Sequence, residues 1–103
     1  MKSENIVLTK SFDFAVRTVN LYKFLCAEHK EYVISKQLLR AGTSIGANIN
    51  EAQAAQSDRD FIAKLSIASK ESREVQYWLK LLCETGYLNS EQQHVQAMLD
   101  ESL

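Results

Sequence analysis

The 103-residue chain carries 12 Lys and Arg against 13 Asp and Glu, a formal net charge of -1, with three glycines and no proline. Such a length fits one domain with its own core, and so few turn residues exclude an all-β chain built from many hairpins. A near-neutral chain also lacks the basic footprint of a non-specific nucleic-acid binder, in which neutralised phosphates supply most of the affinity.

The charge is unevenly spread. Residues 1–56 hold seven Lys/Arg and five Asp/Glu, residues 57–89 hold five of each, and residues 90–103 hold only Glu91, Asp100 and Glu101. A basic face on the first two helices is compatible with that distribution, whereas a basic protein is not.

Residues 1–10 read as a polar lead-in with a short apolar patch, Ile6-Val7-Leu8. Ser11 is placed to cap the first helix, expected over about residues 12–29. Phe12, Ala15, Val16, Val19, Tyr22 and Cys26 recur every three or four residues and predict its buried face, with Phe14, Leu21 and Leu25 as a second stripe beside it. Ser35 is placed to cap a second helix over about 35–55, whose core side is Leu38, Ala41, Ile45, Ile49 and Ala52. Each glycine inside a helix costs about 1 kcal/mol relative to alanine. Gly42 and Gly46, one turn apart, therefore predict that another backbone comes close at that point.

Ser57 and Asp60 form a capping pair for a third helix over about 58–84. Phe61, Leu65, Ala68, Ser72, Val75, Leu79 and Leu82 give it a heptad-like seam, and Gly86 suits the left-handed residue that ends it. Ser90 with Gln93 caps a short last helix over about 90–101, carrying Val95, Met98 and Leu99. Four helices on short links predict an all-α, antiparallel, up-and-down four-helix bundle spanning residues 1–103.

Reactive chemistry finds little footing. The chain has no Gly-rich phosphate loop, CxxC or HExxH motif. Cys26 and Cys83 fit apolar helical patterns and read as small buried hydrophobes. Di-iron sites in four-helix bundles use two Glu-x-x-His motifs, and only Glu91 to His94 supplies one. No catalytic residue, cofactor, metal site or small-molecule substrate is expected, although a cryptic metal site remains an alternative. With neither a signal-peptide core nor an apolar run long enough to span a bilayer, the chain reads as cytoplasmic, with no membrane partner.

The polar residues of interest share helix faces with apolar ones. Arg40, Ser44, Asn48 and Glu51 on the second helix, and Glu71 and Glu74 on the third, predict a polar network that fixes register, since buried carboxylates need partners. Arg40, Lys70 or Arg73 would supply the cation. The adjacent Tyr77 and Trp78 point about 100° apart, so both cannot enter one seam. They predict a partner-binding or self-association face. Lys10, Arg17, Lys23, Lys36 and Arg40 are the candidate nucleic-acid contacts.

The run Leu39-Arg40-Ala41-Gly42-Thr43-Ser44-Ile45-Gly46-Ala47-Asn48-Ile49-Asn50-Glu51-Ala52, followed by Asp60 to Ala68, Lys70 to Glu74, Tyr77-Trp78-Leu79 and Gly86-Tyr87-Leu88, resembles a known family. These are the bacterial four-helix-bundle proteins encoded in intervening sequences of 23S ribosomal RNA genes. The likeness covers about residues 10–90. The family is related to the accessory protein of diversity-generating retroelements, a pentameric barrel that binds reverse transcriptase and nucleic acid through a strongly basic surface. The resemblance implies a homopentamer and carries the family's Asn and Glu positions over to Asn48, Glu51 and Glu74. The functional expectation is a non-enzymatic homo-oligomeric scaffold that binds RNA, DNA or a nucleic-acid enzyme. A protein-only interaction module is the alternative.

Overall fold

The computed structural model describes residues 2–89 and 97–99, with side chains from Ile6 onward. It holds three long helices, α1 (Lys2–His29), α2 (Ile34–Ala52) and α3 (Asp58–Glu84). Residues 97–99 are also helical, and no strand occurs among the described residues. Most of the last predicted helix lies outside the described residues.

The predicted lead-in is itself helix. Nothing in residues 2–11 stops a helix, since the first glycine is Gly42 and proline is absent. Ser11 is therefore an interior residue and not a cap, its Oγ donating to the carbonyl of Leu8 at 3.1 Å. At about 1.5 Å per residue, 28 residues make a rod of about 42 Å, which fills the 44 Å long axis of the molecule.

The buried face of α1 is the second predicted stripe. Phe14, Leu21 and Leu25 enter the core together with Thr18. The first stripe turns outward at its start, with Phe12 68% and Val16 44% exposed. Both stripes have helical spacing, so periodicity could not rank them. Thr18 decides the choice, because its hydroxyl donates to the carbonyl of Phe14 at 2.8 Å and is satisfied inside the core.

The turn from α1 to α2 rests on Glu31. Lys30 adopts a left-handed backbone (φ 51°), and the Glu31 N–H reaches back to the Leu25 carbonyl at 3.1 Å, closing α1 with a Schellman-type wrap. The Glu31 carboxylate then accepts the backbone N–H groups of Val33 (3.1 Å), Ile34 (2.9 Å) and Ser35 (2.6 Å). Ser35 thus lies inside the first turn, its Oγ donating to the Glu31 carbonyl. Glu31 does the capping expected of Ser35. Burial raises the cost of charging this carboxyl, but the N–H groups outweigh it and hold the group below the usual range for glutamate.

α2 crosses α1 where its small residues lie. A Cβ on Gly42 would stand 2.5 Å from Oγ1 and Cγ2 of Thr18, and one on Gly46 would stand 3.1 Å from the Ser11 carbonyl oxygen. The close neighbour at Gly42 is thus a side chain; only at Gly46 is it backbone. α2 runs through both glycines without a break and ends at Ala52, short of the expected residue 55.

α3 has the expected bounds. The Ser57 Oγ accepts the Asp60 N–H at 3.1 Å. Gly86 takes a positive φ of 88°, and the Tyr87 N–H bonds the Leu82 carbonyl at 2.9 Å. α2 lies between α1 and α3. One continuous core joins Leu21 and Leu25 of α1, Leu38 and Ala41 of α2, and Val75, Leu79 and Leu82 of α3, closed by Leu88 and Met98.

Candidate functional site

The seam of α3 is buried only from Ala68 onward. Val75, Leu79 and Leu82 are fully buried, whereas Phe61 and Leu65 lie open with their neighbours Ile62 and Ile67. α1 shows the same gradient, with Ile6, Val7, Phe12 and Val16 exposed near its start. Ser11 packs on Gly46, so the start of α1 and the end of α2 lie together. The link from Ala52 to Asp58 brings in the start of α3. The molecule therefore has a well-packed end and an apolar open end.

Two concavities mark the open end. On the outer side of the α1–α2 pair, a groove of about 630 Å³ is lined by Leu8, Phe12, Ala15, Gly46 and Ala47, with Asn50 at its edge. On the inner side, a cleft of about 390 Å³ has Phe14, Ile45 and Ile49 as its apolar floor, Lys10, Asp13 and Arg17 along α1, and Ser72 on α3.

The polar residues singled out from sequence divide into three groups. Arg40 reaches across from α2 to α3, pairing through Nη1 with Glu71 at 2.9 Å and through Nη2 with Glu74. Glu74 also accepts the indole N–H of Trp78 at 2.9 Å. Ser44 and Asn48 bond one another within α2, the Asn48 amide donating to the Ser44 carbonyl and hydroxyl. Glu51 pairs instead with Lys64 at 2.9 Å, and its hydrogen bond and charge push the Lys64 ammonium above its ordinary range. Sequence reasoning missed Lys64, because only the antiparallel register of α2 and α3 brings residues 51 and 64 level.

Trp78 is half-buried against the core, while Tyr77 is 60% exposed, their rings meeting edge-on at 5.0 Å. Trp78 is thus a core residue with a tethered indole, and Tyr77 alone faces solvent.

The five candidate nucleic-acid cations do not form one patch. Lys10 and Arg17 lie two turns apart on one face of α1 and share the inner cleft. Lys23 is rotated away from Arg17 by about 120°. Lys36 lies near the start of α2, at the packed end, and Arg40 is taken up by Glu71 and Glu74.

Neither thiol is arranged as a nucleophile. Cys26 Sγ lies 3.9 Å from the Glu31 carbonyl oxygen and from Ser35 Oγ. Burial, with the charge of Glu84, pushes the Cys83 thiol up, opposite to what activation requires. Among the described residues no three His, Cys, Asp or Glu are grouped to hold a metal ion, and no described helix is long and apolar enough to cross a membrane. Glu91 and His94 lie outside the described residues.

Residues 3–102 match the family described as 23S rRNA-intervening sequence protein. The chain belongs to that family. A solved structure from Bacteroides thetaiotaomicron VPI-5482, a protein of unknown function from the S23 ribosomal protein family, is 56% identical over 99% of this chain and 88% of that one, with a TM-score of 0.91. No curated protein matches. Membership in the 23S rRNA-intervening sequence family thus comes with an all-helical fold shared closely by a relative.

Proposed function

We propose that this member of the family is a non-enzymatic, cytoplasmic scaffold that assembles with copies of itself through its apolar open end. The observation that carries this reading is the outward-turned stripe of α1, where Phe12 stands in solvent beside Gly46 and Ala47 of α2 and Val16 is exposed one turn further along. Small residues let a partner's side chains come close, and an exposed aromatic in such a groove contributes strongly once covered.

A head-to-tail ring uses two different faces of each copy. The outer groove of α1 and α2 serves as one, and the Phe61, Ile62 and Leu65 face of α3 as the other. The family resemblance favours five copies. A protein client fits this surface better than nucleic acid, because the candidate cations are dispersed and Arg40 is already paired.

Light scattering on a sizing column tests the reading. The expected mass is about five times the 11.7 kDa chain. The double variant Phe12→Asp, Val16→Asp should run as a monomer with its helical circular dichroism intact. A monomeric parent protein would remove the scaffold. An RNA mobility shift that weakens steeply with salt would restore nucleic acid as client.

A further inference from the structure

α3 carries a charged face that neither the core nor the other helices use. Arg59, Lys70, Arg73 and Lys80 are all exposed, as is Tyr77 among them. At 100° per residue these five side chains fall within an arc of about 80°, on the side opposite the buried Ala68, Val75 and Leu79. From Arg59 to Lys80 the row runs about 32 Å along the helix.

The carboxylates of α3 do not neutralise this row. Glu71 and Glu74 turn toward α2, where Arg40 takes both. Lys70 and Arg73, their neighbours in sequence, are left over. Asp58 and Asp60 lie in the first turn and outside the arc, which only Glu84, one turn past Lys80, shares. Four cations against that one carboxylate leave the row at +3, on a chain of net charge -1. Among the described residues no ion pair or side-chain hydrogen bond engages any of the four.

We propose that this face of α3 is the docking surface for an acidic helical segment of a client protein, laid along α3. Lys70, Arg73, Tyr77 and Lys80 step by three, four and three residues, the spacing at which a facing helix presents its own carboxylates. Ala63, Ser66 and Ser69, also exposed, separate Arg59 from the other cations, and side chains this small let two helix axes approach closely. Tyr77, 60% exposed, offers a ring with a hydroxyl at its tip, a side chain suited to anchor a protein contact. A nucleic-acid strand finds less here. It calls for a groove that follows its backbone and several rings for successive bases, whereas this row lies on a convex helix and has one ring. The bound segment is a client of the scaffold proposed above and rests on that reading, while the site itself is complete in one chain.

Fluorescence anisotropy on the full-length chain tests this with a labelled alanine-based peptide that carries glutamates along one helical face. The peptide is about 20 residues long, the length of the row. A scrambled peptide of the same composition and an oligothymidylate of similar charge serve as controls. The designed peptide should bind about fivefold more tightly than the scramble, and more weakly as salt rises. Lys70→Glu with Arg73→Glu should weaken its binding about tenfold or more, and Lys80→Glu alone by a smaller factor. Helical circular dichroism should not change, since all three side chains stand in water. The variant Phe12→Asp, Val16→Asp should bind with the parent's affinity per chain, which separates a failure of this site from a failure of assembly. Equal or absent binding of the two peptides, or no loss in the Lys70, Arg73 double variant, would overturn the proposal. Tighter binding of the oligothymidylate, lost in that same variant, would overturn it in favour of nucleic acid.

Discussion

The two ends of this bundle are made of similar residues and end in different states. At the packed end, Leu21, Leu25, Leu38, Leu79 and Leu82 are buried with Leu88 and Met98 as a lid. At the open end, Phe12, Val16, Phe61, Ile62 and Leu65 have the same helical spacing and stay in water. The extra cover that residues 88 and 98 supply at one end is not matched among the described residues at the other. Apolar spacing thus marks a surface that needs cover without saying what covers it. The packed end takes its cover from the chain, and on our proposal the open end takes it from a second copy.

The largest expected difference between the ends comes from truncation. Leu79→Ala, at a fully buried site, should cost about 2–5 kcal/mol in urea unfolding. Phe61→Ala, partly in water already, should cost about 1 kcal/mol or less under conditions that keep the chain monomeric. Equal losses would mean that the open end is as well packed as the other.

The junction of the two ends lies where α1 crosses α2. Gly42→Ala puts a methyl into Thr18 and should cost about 1–3 kcal/mol, part of which Thr18→Ala should return. No recovery in the double variant would place the strain elsewhere.

A third change sharpens the packed end's turn. Glu31→Gln keeps the shape but loses the charge that holds three N–H groups, and should cost about 1 kcal/mol at pH 7. The folded-state pKa of Glu31 lies below its unfolded value. Its stabilisation is therefore complete above the unfolded value, about 4.3, and is lost as the pH falls through the folded one. Urea midpoints of parent and variant should accordingly converge on acidification below about pH 4, and a constant gap would contradict the charge as the cause.

The smallest effects belong to the surface. Arg40→Ala removes a half-exposed pair of bridges and should cost about 0.5–1 kcal/mol, with a change in Trp78 fluorescence because Glu74 holds the indole. Lys30→Gly should stabilise by about 0.5 kcal/mol, since Lys30 holds a left-handed backbone that glycine adopts without strain.

Several parts of the fold were legible from local chemistry. Ser57, Asp60 and Gly86 bound α3 where capping rules place them, because caps act within one turn. The start of α1 was not legible, since Ser11 has the chemistry of a cap and becomes one only where the preceding residues leave the helix. They do not. Of the polar set, Arg40, Glu71 and Glu74 meet across α2 and α3, while Glu51 meets Lys64. Spacing along one helix says which residues share a face, and the pairing waits on the register between helices.

Sequence alone determined the helical class, the third helix with its caps and seam, and the family, because periodicity, glycine and proline placement and the motif from Leu39 to Ala52 are all written locally. Tertiary structure decided which stripe of α1 is core, that Glu31 caps α2, that Trp78 is tethered while Tyr77 is free to face solvent, and which end of the bundle stays open. The physical reason is that burial belongs to pairs of elements: a stripe is buried only when another helix is long enough, and in register, to lie over it.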